Sequence, residues 1–134
     1  MSRLHPYLNF NGQGFAAMNF YHSIFGGELK TQSYGESGQA RKESEKKLLM
    51  HAELKTDNFT ILASDGNEEH KVTMGNSVNM CLVGNEAKQL TDYFNKLAEG
   101  GKITMPLAKQ FWGDTYGMLT DKFGIHWMVN ISAK

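Results

Sequence analysis

The 134-residue chain comes close to saying the same thing twice. Residues 19–32 read Asn-Phe-Tyr-His-Ser-Ile-Phe-Gly-Gly-Glu-Leu-Lys-Thr-Gln, and residues 93–106 read Tyr-Phe-Asn-Lys-Leu-Ala-Glu-Gly-Gly-Lys-Ile-Thr-Met-Pro. Phe20 falls on Phe94 and Gly26-Gly27 on Gly100-Gly101, a constant offset of 74. A second pair, Thr56-Asp57-Asn58-Phe59 and Thr120-Asp121-Lys122-Phe123, lies at an offset of 64. Two weak copies of one unit mean that neither half has to bury its apolar face alone. The expectation is a single domain of two repeats, 1–66 and 77–134 with a polar connector over 64–76, and a ligand held in the seam between them.

At this length no disulfide or metal staple is needed for a core. The charge is balanced, 14 basic against 14 acidic residues, so no general attraction to nucleic acid or to an anionic membrane is expected. The one cysteine, Cys81, has no internal partner, which suits a reducing compartment; with no signal-peptide pattern, a cytoplasmic location is expected. No apolar run reaches the ~20 residues of a membrane-crossing helix.

Along the chain, residues 5–10 read as a strand and 15–25 as a helix, with Phe15, Met18, Phe20, Tyr21, Ile24 and Phe25 near helical spacing. Gly26-Gly27 stops that helix, because glycine takes positive φ without steric cost. Residues 28–34 read as extended, 35–47 as a mobile polar loop, and 48–54 and 58–63 as strands. The order then recurs: strand 77–83, helix 86–97, the Gly100-Gly101 stop, and strands at 102–105, 116–120 and 125–131. Each copy is strand, helix and three strands, an α+β class with mixed or antiparallel sheets.

That order resembles the vicinal-oxygen-chelate superfamily of glyoxalases, bleomycin-resistance proteins and extradiol dioxygenases. The wording is nearer its PhnB-like branch. Pro6-Tyr7-Leu8-Asn9-Phe10, Phe25-Gly26-Gly27-Glu28, Met50-His51-Ala52-Glu53-Leu54 and Gly101-Lys102-Ile103-Thr104-Met105-Pro106-Leu107 carry the likeness. So do Phe111-Trp112-Gly113, Tyr116-Gly117-Met118 and Thr120-Asp121-Lys122-Phe123-Gly124-Ile125-His126-Trp127-Met128-Val129-Asn130. The resemblance implies two βαβββ modules whose curved mixed sheets surround a cleft, and a homodimer. In the superfamily's enzymes it implies a divalent metal held by first-strand His or Gln residues and last-strand Glu residues.

Counting within the resemblance, the ligand Glu would lie seven residues beyond Asp57 or Asp121, which gives Ser64 and Met128; neither replaces a carboxylate. On the first strands the ligand level falls on His5 or Pro6 and on Asn79 or Met80, so His5 is the one good donor. No metal or other cofactor is therefore expected. His51 and Glu53 are two apart on a strand, share a face, and are the candidate acid/base pair. Tyr7, Ser64, Asn79, Trp112, Tyr116, His126 and Met128 are the expected ligand-lining residues, with Trp112 and Tyr116 as a flat aromatic wall. Against each stands a packing role: a hydrogen-bonded core histidine for His126, a core cap for Trp112. Trp127 is expected to face the helix, and Cys81 to be a small apolar filler.

Three functions compete. The first is a small-molecule-binding protein whose ligand sits in the cleft of a dimer, with no reaction assigned. The second is a metal-dependent lyase, isomerase or dioxygenase. The third, the demethylubiquinone methyltransferase label often attached to PhnB-like chains, is disfavoured: no glycine-rich strand-to-helix turn for S-adenosylmethionine is apparent, and there is no room for a separate Rossmann unit.

Overall fold

Period-two burial on the strands and burial at every third or fourth residue on the helices build the same module twice. In the computed structural model, which describes residues 1–67 and 70–133, the chain forms two compact units, Met1–Thr73 and Met74–Lys134. The first contains β1 (Tyr7–Phe10), α1 (Gly14–Phe25), β2 (Glu28–Ser33), α2 (Tyr34–Ser37), a 3-10 turn (Glu43–Glu45), β3 (Leu49–Lys55) and β4 (Thr60–Asp65). Its sheet runs β1-β4-β3-β2, with β1 parallel to β4 and the other pairs antiparallel. The second unit contains β5 (Met80–Gly84), α3 (Ala87–Ala98), β6 (Lys102–Lys109), β7 (Thr115–Thr120) and β8 (His126–Ile131). Its sheet runs β5-β8-β7-β6, with β5 parallel to β8. The expected α+β class of two βαβββ modules with mixed sheets is what the chain adopts.

One face of each sheet carries a helix. Ala17, Met18, Tyr21 and Ile24 of α1 are buried, as are Ala52 and Leu54 of β3 and Ile61 and Ala63 of β4. Leu90, Phe94 and Leu97 of α3 are buried with Leu119, Trp127, Val129 and Ile131. Phe15, Phe20 and Phe25, expected in the buried stripe, are half-buried at its margin; Phe25 meets Phe59 edge-on at 5.2 Å between centroids. The glycine doublets do equivalent jobs. A Cβ at Gly27 would strike the Lys55 carbonyl oxygen at the end of β3, and one at Gly101 would strike that of Thr120 at the end of β7.

Each unit also has a deeply buried aspartate, 2 % exposed at Asp65 and 3 % at Asp121, and both are satisfied by several donors. Asp65 Oδ1 accepts from the Gly12 and Gly14 amides, both at 2.9 Å, and Oδ2 from the Leu49 amide at 2.8 Å. Asp121 Oδ1 accepts from the Phe123 and Ile125 amides, at 2.9 and 3.1 Å, and Oδ2 from Trp127 Nε1 at 2.9 Å. Trp127 is buried on the helix side, as expected.

Four local expectations need correction. Residues 35–47 are not a featureless loop: Ser33 and Glu36 form a reciprocal capping box on α2, both bonds at 3.1 Å, and Glu45 is buried with Oε1 accepting from the Arg41 amide. Ser33-Tyr34-Gly35-Glu36 is the Ser-x-x-Glu pattern of such a cap. Ser64 and Asp65 belong to β4 rather than to a connector, because the Asp65 carboxylate ties the strand end to α1. β6 runs on to Lys109 through Pro106, which is tolerated because β6 is an edge strand with irregular register between Met105 and Ala108. Asn79 lies just before β5, outside the paired strand. The connector residues Glu68 and Glu69 lie outside the described residues.

Candidate functional site

The sheet faces turned away from the helices collect Tyr7, His51, Glu53, Ser64, Tyr116, His126 and Met128, while His5, Asn79 and Trp112 lie outside the strands. On the first sheet, cross-strand register sets Tyr7 opposite Leu62, Leu62 opposite Glu53 and Glu53 opposite Lys30, one row across four strands. Beside it, Asn9 pairs with Ser64, and His51 with Gln32. Polar contacts tie the rows together. The Tyr7 hydroxyl lies 3.2 Å from His51 Nδ1, and Ser64 Oγ donates to Asn9 Oδ1 at 3.2 Å. His51 and Glu53 are half-buried and share this face, so the structure brings together Tyr7, His51, Glu53 and Ser64. His5 is half-buried and precedes β1.

On the second sheet the corresponding row is Cys81, Met128, Met118 and Met105, each the register partner of the next. Val83 and Asn130 pair beside it, and Asn130 pairs with Tyr116. Trp112, in the turn between β6 and β7, packs against Tyr116 at 6.1 Å between centroids and 60°, and Phe111 stands edge-on to Trp112 at 5.0 Å. Phe111 is 97 % exposed and Trp112 50 %, so this aromatic group is available on the surface rather than spent as core. Asp114 steadies the turn, its two oxygens accepting from Asn130 Nδ2 at 3.0 Å and from the Ala133 amide at 3.2 Å.

His126 shares this face with Met128, but both ring nitrogens are committed. Nε2 lies 3.1 Å from the Gly75 carbonyl oxygen and Nδ1 2.8 Å from Thr120 Oγ1. A carbonyl can only accept, so a neutral ring carries its proton on Nε2 and accepts from Thr120 at Nδ1. That is a positioning role. Cys81 is exposed at this face and not interior filler; partial desolvation pushes its thiol pKa up.

Register also corrects the counting that equated Ser64 with Met128. Lys55 pairs with Thr60 and Thr120 with His126, so the second hairpin loop, Asp121–Ile125, is one residue longer than Thr56–Phe59. Tyr7 and Cys81 keep the 74-residue offset, which makes Leu62 the counterpart of Met128, and Ser64 that of Asn130. At neither set of levels is there a carboxylate. Met128, Leu62, Ser64 and Asn130 supply a thioether, an alkyl group, a hydroxyl and an amide, and no group of three His, Cys, Asp or Glu side chains converges among the described residues. The donor set does not fit a hard or borderline divalent ion of the superfamily's kind.

A short Gly12-Gln13-Gly14 turn does separate β1 from α1, contrary to expectation. Its two glycine amides are occupied by Asp65, a negative charge standing where a ligand phosphate or carboxylate would bind. A concavity of about 610 Å³ lies along Glu86 and along Lys88, Asp92, Tyr93 and Lys96 of α3, and includes none of the candidate residues. Asn9, Met118 and Asn130 were missed by sequence reasoning; alternation from Tyr7, Tyr116 and Met128 along the same strands would have found them.

The family model described as 3-demethylubiquinone-9 3-methyltransferase matches residues 2–130. Protein PA1353 from Pseudomonas aeruginosa is 34% identical, covering 98% of both chains, and superposes with a TM-score of 0.90. The PhnB protein of Bacillus cereus, 24% identical, covers 98% of this chain and 100% of its own with a TM-score of 0.76. A glyoxalase/bleomycin resistance protein/dioxygenase family enzyme from Burkholderia phytofirmans, 16% identical, covers 93% and 95% with a TM-score of 0.62. The last two likenesses speak for the fold alone. The chain therefore belongs to the 3-demethylubiquinone-9 3-methyltransferase family, and its fold is that of the glyoxalase/bleomycin resistance protein/dioxygenase neighbour.

Proposed function

We propose that this protein binds a small planar or apolar molecule on the helix-free face of its second sheet, and that it does so as a homodimer. The observation that carries this reading is the exposed aromatic group, Phe111, Trp112 and Tyr116, standing beside Met118 and Met128 on a face that no helix of its own unit covers. Stacking surfaces and polarizable thioethers adapt to varied flat ligands. Exposed Val83 and Met105 extend the apolar surface and support self-association.

The family's name describes methyl transfer, but the amides at the strand-to-helix turn serve Asp65, which speaks against a cofactor there. A second reading, acid/base catalysis on the first sheet, has one observation in its favour: the Tyr7–His51 contact with Glu53 on the same face.

The two indoles make the test direct, because Trp127 is 1 % exposed and Trp112 half exposed. Planar aromatic acids titrated into untagged protein should quench the exposed indole saturably, and Trp112→Leu should abolish the quench. Quenching that survives in Trp112→Leu would place binding elsewhere. Sedimentation equilibrium decides the dimer; a monomer at micromolar concentration contradicts that part.

A further inference from the structure

We infer that the second sheet carries a site for a soft monovalent cation, copper(I) in particular, built from Cys81, Met128 and Met118 and distinct in chemistry from the superfamily's divalent centre. Three adjacent strands, β5, β8 and β7, each present one sulfur-bearing side chain at the same level of the sheet. Met105 on the edge strand continues the row and is 40 % exposed. Register partners on neighbouring strands stand about 5 Å apart, so Cys81 and Met118, on either side of Met128, are separated by about 10 Å of backbone. A thioether on three rotatable bonds can swing within that spacing, so one ion can draw the three sulfurs together.

The donor chemistry selects the ion. A thiolate with two thioethers is soft and low in charge, suited to copper(I) and unsuited to magnesium, calcium or manganese. On binding, the Cys81 Sγ–H bond breaks, its proton passes to solvent and a sulfur–metal bond forms, with no change of oxidation state. Thr120 and His126 lie at the next level of β7 and β8, and Tyr116 and Asn130 at the level on the other side. The His126 nitrogens are held by Thr120 and Gly75, which leaves the sulfur row to act alone.

An apolar ligand wall asks only for volume and polarizability, and leucine supplies most of that. The metal site needs sulfur. Silver(I), a redox-inert stand-in for copper(I), can be titrated by calorimetry into reduced, untagged protein in chloride-free buffer. One ion per chain is expected. Met128→Leu and Met118→Leu should each weaken binding roughly tenfold or more, the scale on which a metal site answers to loss of a supporting group. Cys81→Ser should abolish stoichiometric binding, and methionine methyl resonances should shift at Met118 and Met128. Circular dichroism checks that each variant folds. Binding unchanged in both leucine variants would reduce the site to an adventitious thiol and overturn the inference. So would failure of the parent to bind one ion. Neither result bears on Trp112 quenching by aromatic acids, so the two proposals fail separately.

Discussion

The two sheets are built alike on their helix side and differ on the other. Both place a helix over alternate strand residues, both need a second glycine where that helix turns into the next strand, and both bury an aspartate among several donors. On the far side, Tyr7-Leu62-Glu53-Lys30 of the first sheet faces the same structural question as Cys81-Met128-Met118-Met105 of the second. The first answers with hydrogen bonds and charge, the second with sulfur flanked by aromatics. The difference shows which side of a duplicated module is fixed by packing and which is free to acquire chemistry.

The strongest way to break the comparison is to remove the buried carboxylates. Asp65→Ala and Asp121→Ala should each cost about 3 kcal/mol or more in urea unfolding, because each strands several buried donors. If only one does, the helix sides are not equivalent. Gly27→Ala and Gly101→Ala should each cost about 2 kcal/mol, since a new Cβ meets strand backbone in both units. His126→Ala should cost about 1 kcal/mol and His51→Ala less than ~0.5, as His126 bonds through both nitrogens and His51 through Nδ1. Long-range proton–nitrogen correlation should find neutral His126 protonated at Nε2. Smallest of all, Trp112→Leu should change stability by less than ~0.5 kcal/mol, the sign of a surface aromatic kept for binding.

Much of this was legible in the residues. The Gly26-Gly27 and Gly100-Gly101 repeat gave the module and its helix stops, and alternation gave Trp127 as core and His51 with Glu53 on one face. What the chain hid was register. Thr56-Asp57 and Thr120-Asp121 look equivalent, yet Thr56 Oγ1 accepts the Asn58 and Phe59 amides in one turn and the Asp121 carboxylate does that work in the other. Lys55, not Thr56, is the counterpart of Thr120, and the second loop is one residue longer; together these move each β8 correspondence by two, so Ser64 and Met128 part company. The sulfur row was hidden for the same reason: Cys81, Met105, Met118 and Met128 are far apart in sequence and meet only through pairing of four strands. Nothing local to Asp65 in the sequence says that its carboxylate accepts from amides at the start of a helix more than fifty residues upstream.

Methionine methyl spectroscopy tests the division between the sheet's two sides most directly. Selectively labelled protein titrated with planar aromatic acids should show saturable shifts at Met118 and Met128, with Met18, fully buried on α1 of the first unit, unmoved. Shifts confined to other methionines, or none at saturating concentrations of acids that quench Trp112, would contradict the account of the second sheet as the binding face.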